Sequence, residues 1–291
     1  MASEASGLKG SDDDALPVMG GQQGNSPEPS LSLSLSLSLS QPLGPRIDDA
    51  RGLAIHACWM SGLRRGAVAE ILERDDGVLF VLDMAEDFAP FPQWRGLHRW
   101  ACDRARGRVL DLGAGSGSHA LHLQQTGTSV LALDVSPMSI EVCKLRGIVD
   151  ARVGSHEDIL ESHGGSFDTI LMLGSGLGML QDPRQGKTLL GDLSKLLSPG
   201  GRIIGEGFAE PVDPSEGPEG PQTRLRIRND SLGHLFGQAS YRYRWGATAT
   251  PWFEWLHPTK SEAGLIFASA GFRLVEVIEE GNLYVIVAQV D

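Results

Sequence analysis

The chain has 291 residues and a formal net charge of −12. That charge argues against a general nucleic-acid binder and against docking on an anionic membrane surface, and no apolar run is long enough to span a bilayer. Three cysteines, Cys58, Cys102 and Cys143, provide neither a disulfide framework nor a CxxC zinc pattern; with no secretory signal evident, no metal site is expected and a reducing, cytoplasmic setting is the default.

Residues 1–46, rich in Gly, Ser, Pro and Asp, read as a disordered low-complexity tail. Ser30 to Ser40 alternates Ser and Leu, formally a strand period. An in-frame CT dinucleotide repeat would encode the same alternation, so no function is assigned to it. Residues 47–104 read as an N-terminal helical segment. Leu53, Ile55, His56, Trp59, Met60 and Leu63 form an approximate helical stripe, and a second helical piece is expected over Ala67–Arg74. Phe80 to Trp100 then mixes Phe80, Phe88, Phe91, Trp94 and Trp100 with Asp83, Glu86, Asp87 and Arg95.

Residues 105–291 read as an α/β domain with a doubly wound, mostly parallel seven-stranded sheet and an antiparallel last strand. Strands are expected near 108–112, 129–134, 151–153 and over Phe167–Leu173, the last a mostly apolar run suited to a sheet covered on both faces. Ser136 is placed as an N-cap with Pro137 at the first helical position and Gly147 beyond the helix; Asp182 and Pro183 open another helix. Ser198-Pro199-Gly200-Gly201 is read as a turn into a fifth strand, Arg202–Gly205. A helix over Glu262–Ala270 and strands over Phe272–Ile278 and Leu283–Val290 complete the domain. The insertion 208–260 is expected to be a β-hairpin cap. Pro211–Pro221 is a Pro/Gly/Glu-rich loop, and Thr223–Arg228 and Ser240–Trp245 alternate with period two, as an antiparallel pair would.

The organising stretch is Val109-Leu110-Asp111-Leu112-Gly113-Ala114-Gly115-Ser116-Gly117, a strand running into three glycines and then a helix. Such a unit cradles a nucleotide because a Cβ would block the backbone's approach and the helix start offers free N–H groups. A second strand ends in Asp134, placed to accept hydrogen bonds from ribose hydroxyls. The glycine spacing is tighter than in the dinucleotide fingerprint. Together with Phe167-Asp168 and Leu197-Ser198-Pro199-Gly200-Gly201, it resembles the class I methyltransferases that use S-adenosylmethionine (SAM), over roughly residues 105–207 and 259–291.

The resemblance implies SAM as methyl donor and a cofactor site at Asp111, Gly113, Ala114, Gly115, Gly117, Asp134, Val135 and Leu173. Many members carry an acid after strand three; here the segment is Gly154-Ser155-His156-Glu157-Asp158, so Ser155 or His156 would take that place. The aromatic segment 80–100 would be a lid over the cofactor or a cover on the sheet edge. His119 is placed near the cofactor and His122 as structural.

Methyl transfer from a sulfonium asks mainly for positioning, with a base only where the acceptor arrives protonated. Gly174 and Ser175, at the end of strand four, are expected to line the acceptor pocket. Glu206, after strand five, is a base, an anchor or an exposed loop carboxylate. Arg242, Arg244 and Trp245, set against Arg224, Arg226 and Arg228, suggest an anionic or aromatic small-molecule acceptor, or simply a solvated hairpin face. The alternatives are a non-catalytic SAM-binding scaffold and a peptide or protein methyltransferase. The sequence sets no oligomeric state.

Overall fold

The computed structural model describes residues 48–164, 166–208 and 220–290. The tail 1–46 with its Leu-Ser repeat, and residues 211–219 of the Pro/Gly-rich loop, lie outside them. The chain enters through helix α1 (Ala50–Met60), strands β1 (Ala69–Arg74) and β2 (Leu79–Asp83), and helix α2 (Gly96–Arg104). The α/β units follow as β3 (Val109–Leu112), α3 (Ser118–Gln125), β4 (Val130–Asp134), α4 (Pro137–Leu145), β5 (Ala151–Val153), α5 (His156–His163), β6 (Phe167–Met172), α6 (Pro183–Leu196) and β7 (Leu197–Phe208). An insertion carries α7 (Pro221–Leu232), β8 (Gln238–Trp245), β9 (Thr248–Ala249) and β10 (Phe253–Leu256), and α8 (Lys260–Ser269), β11 (Phe272–Glu280) and β12 (Leu283–Val290) close the fold.

The central sheet has the order β11-β12-β7-β6-β3-β4-β5. Strands β7, β6, β3, β4 and β5 run parallel, and β12 is antiparallel to both its neighbours. Strand alternation splits the core into two layers. Leu110, Leu131, Ile170 and Ile203 pack with Leu190 and Leu193 of α6 and Ile266 and Phe267 of α8. Val109, Ala132, Leu171 and Ile204 pack with Leu97 of α2, Ala120 of α3 and Ile140 of α4. The strand order reverses between β3 and β6, which opens a crevice at their C-terminal ends.

The helix starts follow local chemistry. Ser136 Oγ accepts the Ser139 N–H with Pro137 in the first turn, and Asp182 accepts from Arg184 and Gln185. The predicted turn Ser198–Gly201 instead lies within β7, where the pairing with β6 shifts register, and the strand runs on to Phe208.

The cap is a second, five-stranded antiparallel sheet, β10-β8-β1-β2 with β9 on β8. Two expectations are corrected here. Ala69–Arg74 is a strand, not a helix, because the Asp76-Gly77 turn, with Gly77 at φ +89°, folds it onto β2. Thr223–Arg228 is helical, lying within α7. Its pattern is decided by burial: Leu225 and Asn229, four apart, are buried, whereas Ile227 is 61% exposed, and Gly233 ends the helix in the left-handed conformation. β8 therefore pairs with β1 and β10.

Candidate functional site

The three glycines of the first loop all have positive φ, but their surroundings differ. A Cβ on Gly115 would meet nothing within 4 Å, and one on Gly113 only Met179 Cε at 3.9 Å. At Gly117 it would lie 2.4 Å from Ile148 Cδ1 and 2.7 Å from Cys143 Sγ. The first two glycines thus line open space, and the third lets α3 pack close. Gly174, at the end of β6 with φ +65°, also faces open space. This cradle suits a ligand pressed against backbone.

Asp134 ends β4 beside it. Its Oδ2 accepts the Gly115 N–H at 2.8 Å and its Oδ1 the Ser136 N–H at 2.8 Å, so each oxygen keeps acceptor capacity. Burial pushes this carboxyl up, against the pull of those two N–H groups. Asp111 is buried and accepts the Ala120 N–H; burial, with the Asp134 charge adding, pushes it up to about 7. Val135 is exposed next to Asp134, Ala114 and Leu173 are buried, and Ser155 sits after β5 at the same sheet edge. Ser155 donates to Asp158 and so helps open α5, while His156 lies 3.9 Å from Asp192 on α6.

Glu206 is not an exposed loop carboxylate. It is buried within β7, and its Oε2 accepts the N–H groups of Gly174 (2.6 Å) and Ser175 (3.3 Å). His98 Nε2 lies 3.0 Å from the same oxygen and His98 Nδ1 3.1 Å from His119 Nε2. Burial would raise the Glu206 carboxyl, but the His98 hydrogen bond and charge, with the two backbone donors, hold it below its usual value. The ionised carboxylate therefore takes the His98 Nε2–H as acceptor. Burial and the neighbouring His98 push His119 down to about 3, so it is neutral. Among the described residues no group of His, Cys, Asp or Glu is arranged to hold a metal ion.

The aromatic segment seats on the glycine loop and α3. The Asp87 carbonyl accepts the hydroxyls of Ser116 (2.7 Å) and Ser118 (2.6 Å), Phe91 stacks on His122 at 3.9 Å, and Trp94 meets His119 edge-on. Asp49, which directly precedes the helical stripe in the sequence, caps α1 and accepts from Ser136 Oγ and Met138 N, tying α1 to the start of α4.

Register assigns the faces of the cap sheet. Leu72 pairs with Tyr243 and Arg74 with Tyr241, so these tyrosines share a face with Glu70. Arg51 joins them: its guanidinium bonds Glu70 and Asp87 and stands 4.9 Å from the Tyr243 ring centre. Trp245 packs among Ile55, Met84 and Phe88. Arg242 and Arg244 lie on the opposite face, both donating to Glu73. Arg242 and Arg244, expected at the acceptor, thus lie on the face opposite Tyr241 and Tyr243; Asp87 was read only as part of the acidic, aromatic segment, and Arg51, Glu70 and His98 were not singled out by sequence reasoning. Arg242→Ala and Arg244→Ala are expected to leave SAM affinity and the acceptor's KM at wild-type values, because exposed ion pairs contribute little. Calorimetry and steady-state kinetics check this; a raised KM would bring the arginines back to the acceptor.

Comparisons with known proteins agree with this architecture. Residues 109–201 match a family described as methyltransferase domain. A SAM-dependent methyltransferase from Bacteroides fragilis, solved in complex with S-adenosyl-L-homocysteine, is 30% identical, with 86% of this chain and 98% of that one covered and a TM-score of 0.69. The ubiquinone biosynthesis O-methyltransferase of Xanthomonas oryzae pv. oryzae is 33% identical over 107 residues, 35% of this chain and 43% of its own length. The demethylmenaquinone methyltransferase of Clavibacter sepedonicus is 37% identical over 110 residues, 37% and 43% of the two chains. The match thus spans less than half the length of these curated relatives.

Proposed function

The chain belongs to the SAM-dependent methyltransferases, and from that premise we propose that it transfers the methyl group of SAM to a ring-bearing small molecule held between the sheet edge and the cap. SAM supplies an electrophilic methyl on a sulfonium. The residues present fit it. The observation that carries this reading is the open cradle at Gly113, Gly115 and Gly174 beside Asp134. In it Asp134 accepts the ribose hydroxyls, the backbone of Gly113, Ala114 and Gly115 holds the methionine part, and Val135, Leu173 and Ser155 border the adenine. Asp111 and Gly117 shape the loop from behind, through the Ala120 N–H and the packing on Ile148.

The inward face of the cap offers rings. Phe253 and Tyr241 pair across β10 and β8, and Trp255 lies against Gly178 in the loop after β6. With Arg242 and Arg244 facing outward, support for an anionic acceptor falls away and support for an aromatic one remains. Relatives named for ubiquinone and demethylmenaquinone favour a ring as well. Glu206 positions the Gly174–Ser175 loop. Calorimetry with SAM and S-adenosylhomocysteine, followed by transfer of labelled methyl from SAM to a small-metabolite pool, tests the reading. Binding and a methylated ring compound are expected. Binding without transfer to any small molecule would leave a scaffold or a macromolecular acceptor in its place.

A further inference from the structure

The cap sheet holds a carboxylate that the fold leaves half used. Glu70 is fully buried on β1. Its Oε2 accepts Arg51 Nη1–H at 2.5 Å, while Oε1 is buried with no hydrogen-bond partner. Buried acceptors are paired almost without exception, and one that is not asks for an explanation. The Tyr243 ring stands beside it, 4.9 Å from the Arg51 guanidinium. Arg51 and Tyr243 lie within electrostatic reach of Asp134, the carboxylate assigned above to the ribose.

We propose that Glu70 Oε1 receives the O–H or N–H of the methyl acceptor and takes its proton as the methyl group is transferred. This rests on the small-molecule reading above and names the acceptor's class: a molecule whose nucleophilic oxygen or nitrogen carries a proton. The bond from that heteroatom to the methyl carbon forms and the carbon–sulfur bond breaks. The sulfur keeps the electron pair and becomes a neutral thioether, and the proton goes to Glu70. Arg51 fixes the carboxylate, and Tyr243 borders the acceptor.

The electrostatics agree. Burial raises the Glu70 carboxyl, Arg51 from α1 works against this, and Asp87 adds to it; Tyr243 faces the group from β8. A raised carboxyl is the better proton acceptor at neutral pH. Glu206 is the weaker candidate, since it is held low and its Oε2 already serves three donors.

The test uses the full chain, wild type and Glu70→Gln, with labelled SAM and a panel of phenols, catechols and aryl amines. Benzoate, whose only oxygens are those of its carboxylate, is the control. Thermal unfolding and S-adenosylhomocysteine calorimetry confirm that the variant is folded and binds the cofactor. In Glu70→Gln, kcat for a methylated phenol or amine should fall about 100-fold or more with KM nearly unchanged. The acid limb of the wild-type kcat profile should vanish with it. Should Glu70→Gln fail to fold, Glu70→Asp, which keeps a retracted carboxylate, should retain the acid limb at reduced kcat. Turnover of phenols or amines that ignores Glu70, or an acid limb that survives in the Gln variant, overturns this inference alone. Turnover of benzoate only also overturns it. No transfer to any member, with cofactor bound, overturns the small-molecule reading and this inference with it.

Discussion

Gly115→Ala should cost cofactor affinity, and Gly117→Ala should cost the fold. Both positions sit at positive φ, +54° and +77°, so a Cβ at either strains the backbone by about 1 kcal/mol. Beyond that they part. The new methyl at Gly115 meets no protein atom within 4 Å and projects into the space assigned to SAM. Affinity should fall about tenfold or more, while the melting temperature moves little beyond the strain cost. At Gly117 the methyl is driven into Ile148 and Cys143, buried side chains of the layer that joins α3 and α4 to the sheet. Overpacking adds about 1–3 kcal/mol, for a total near 3 kcal/mol. Thermal unfolding and SAM calorimetry on both variants read the two effects separately. Equal stability losses, or an unchanged SAM affinity in Gly115→Ala, would remove the distinction between a ligand glycine and a packing glycine.

That distinction also marks what the sequence made legible. The glycine loop, Asp134, the Ser136 and Asp182 caps and the buried strands β4 and β6 are each written within a few neighbouring residues. Local sterics and hydrogen bonds therefore suffice to read them. α7 was misread because Arg224, Arg226 and Arg228 alternate with Leu225 and Ile227, a period-two pattern that burial of Leu225 and Asn229 overrides. β1 was misread although Asp76-Gly77 between two apolar runs is a hairpin signal. The cap itself was out of reach. Its inward face joins α1, β1, the turn at Asp87 and β8, and such pairings across long stretches of chain leave no local trace. A face assignment from alternation alone could name Tyr241, Tyr243 and Trp245 as a set, and Arg242 and Arg244 as another, but not which set looks inward. His98 and Glu206 illustrate the same limit: neither stands in a motif, and only the meeting of α2 with the end of β7 gives them a shared oxygen.

Glu206→Leu should be among the most damaging single changes to stability. The substitution removes the acceptor of the Gly174 and Ser175 N–H groups and of His98 Nε2–H, at a site where Glu206 itself is 3% exposed. Leaving buried donors unpaired and breaking a buried ion-pair geometry together cost about 3–5 kcal/mol. The loop carries two successive left-handed residues, Gly174 at φ +65° and Ser175 at φ +64°, and the second has a Cβ that disfavours this conformation. The carboxylate holds that turn, so its loss should also disorder the pocket edge and reduce methyl transfer. Glu206→Gln keeps one oxygen acceptor and should recover part of the stability. The pH dependence has a defined sign. Glu206 is held below its usual value in the fold, so its contribution is complete above the unfolded carboxylate value, about 4.3, and is lost as pH falls through the folded value. The stability gap between wild type and Glu206→Leu should therefore close as pH falls below about 4. Urea unfolding at several pH values measures it. A gap that persists unchanged in acid would mean that the carboxylate's charge is irrelevant and that only its shape matters.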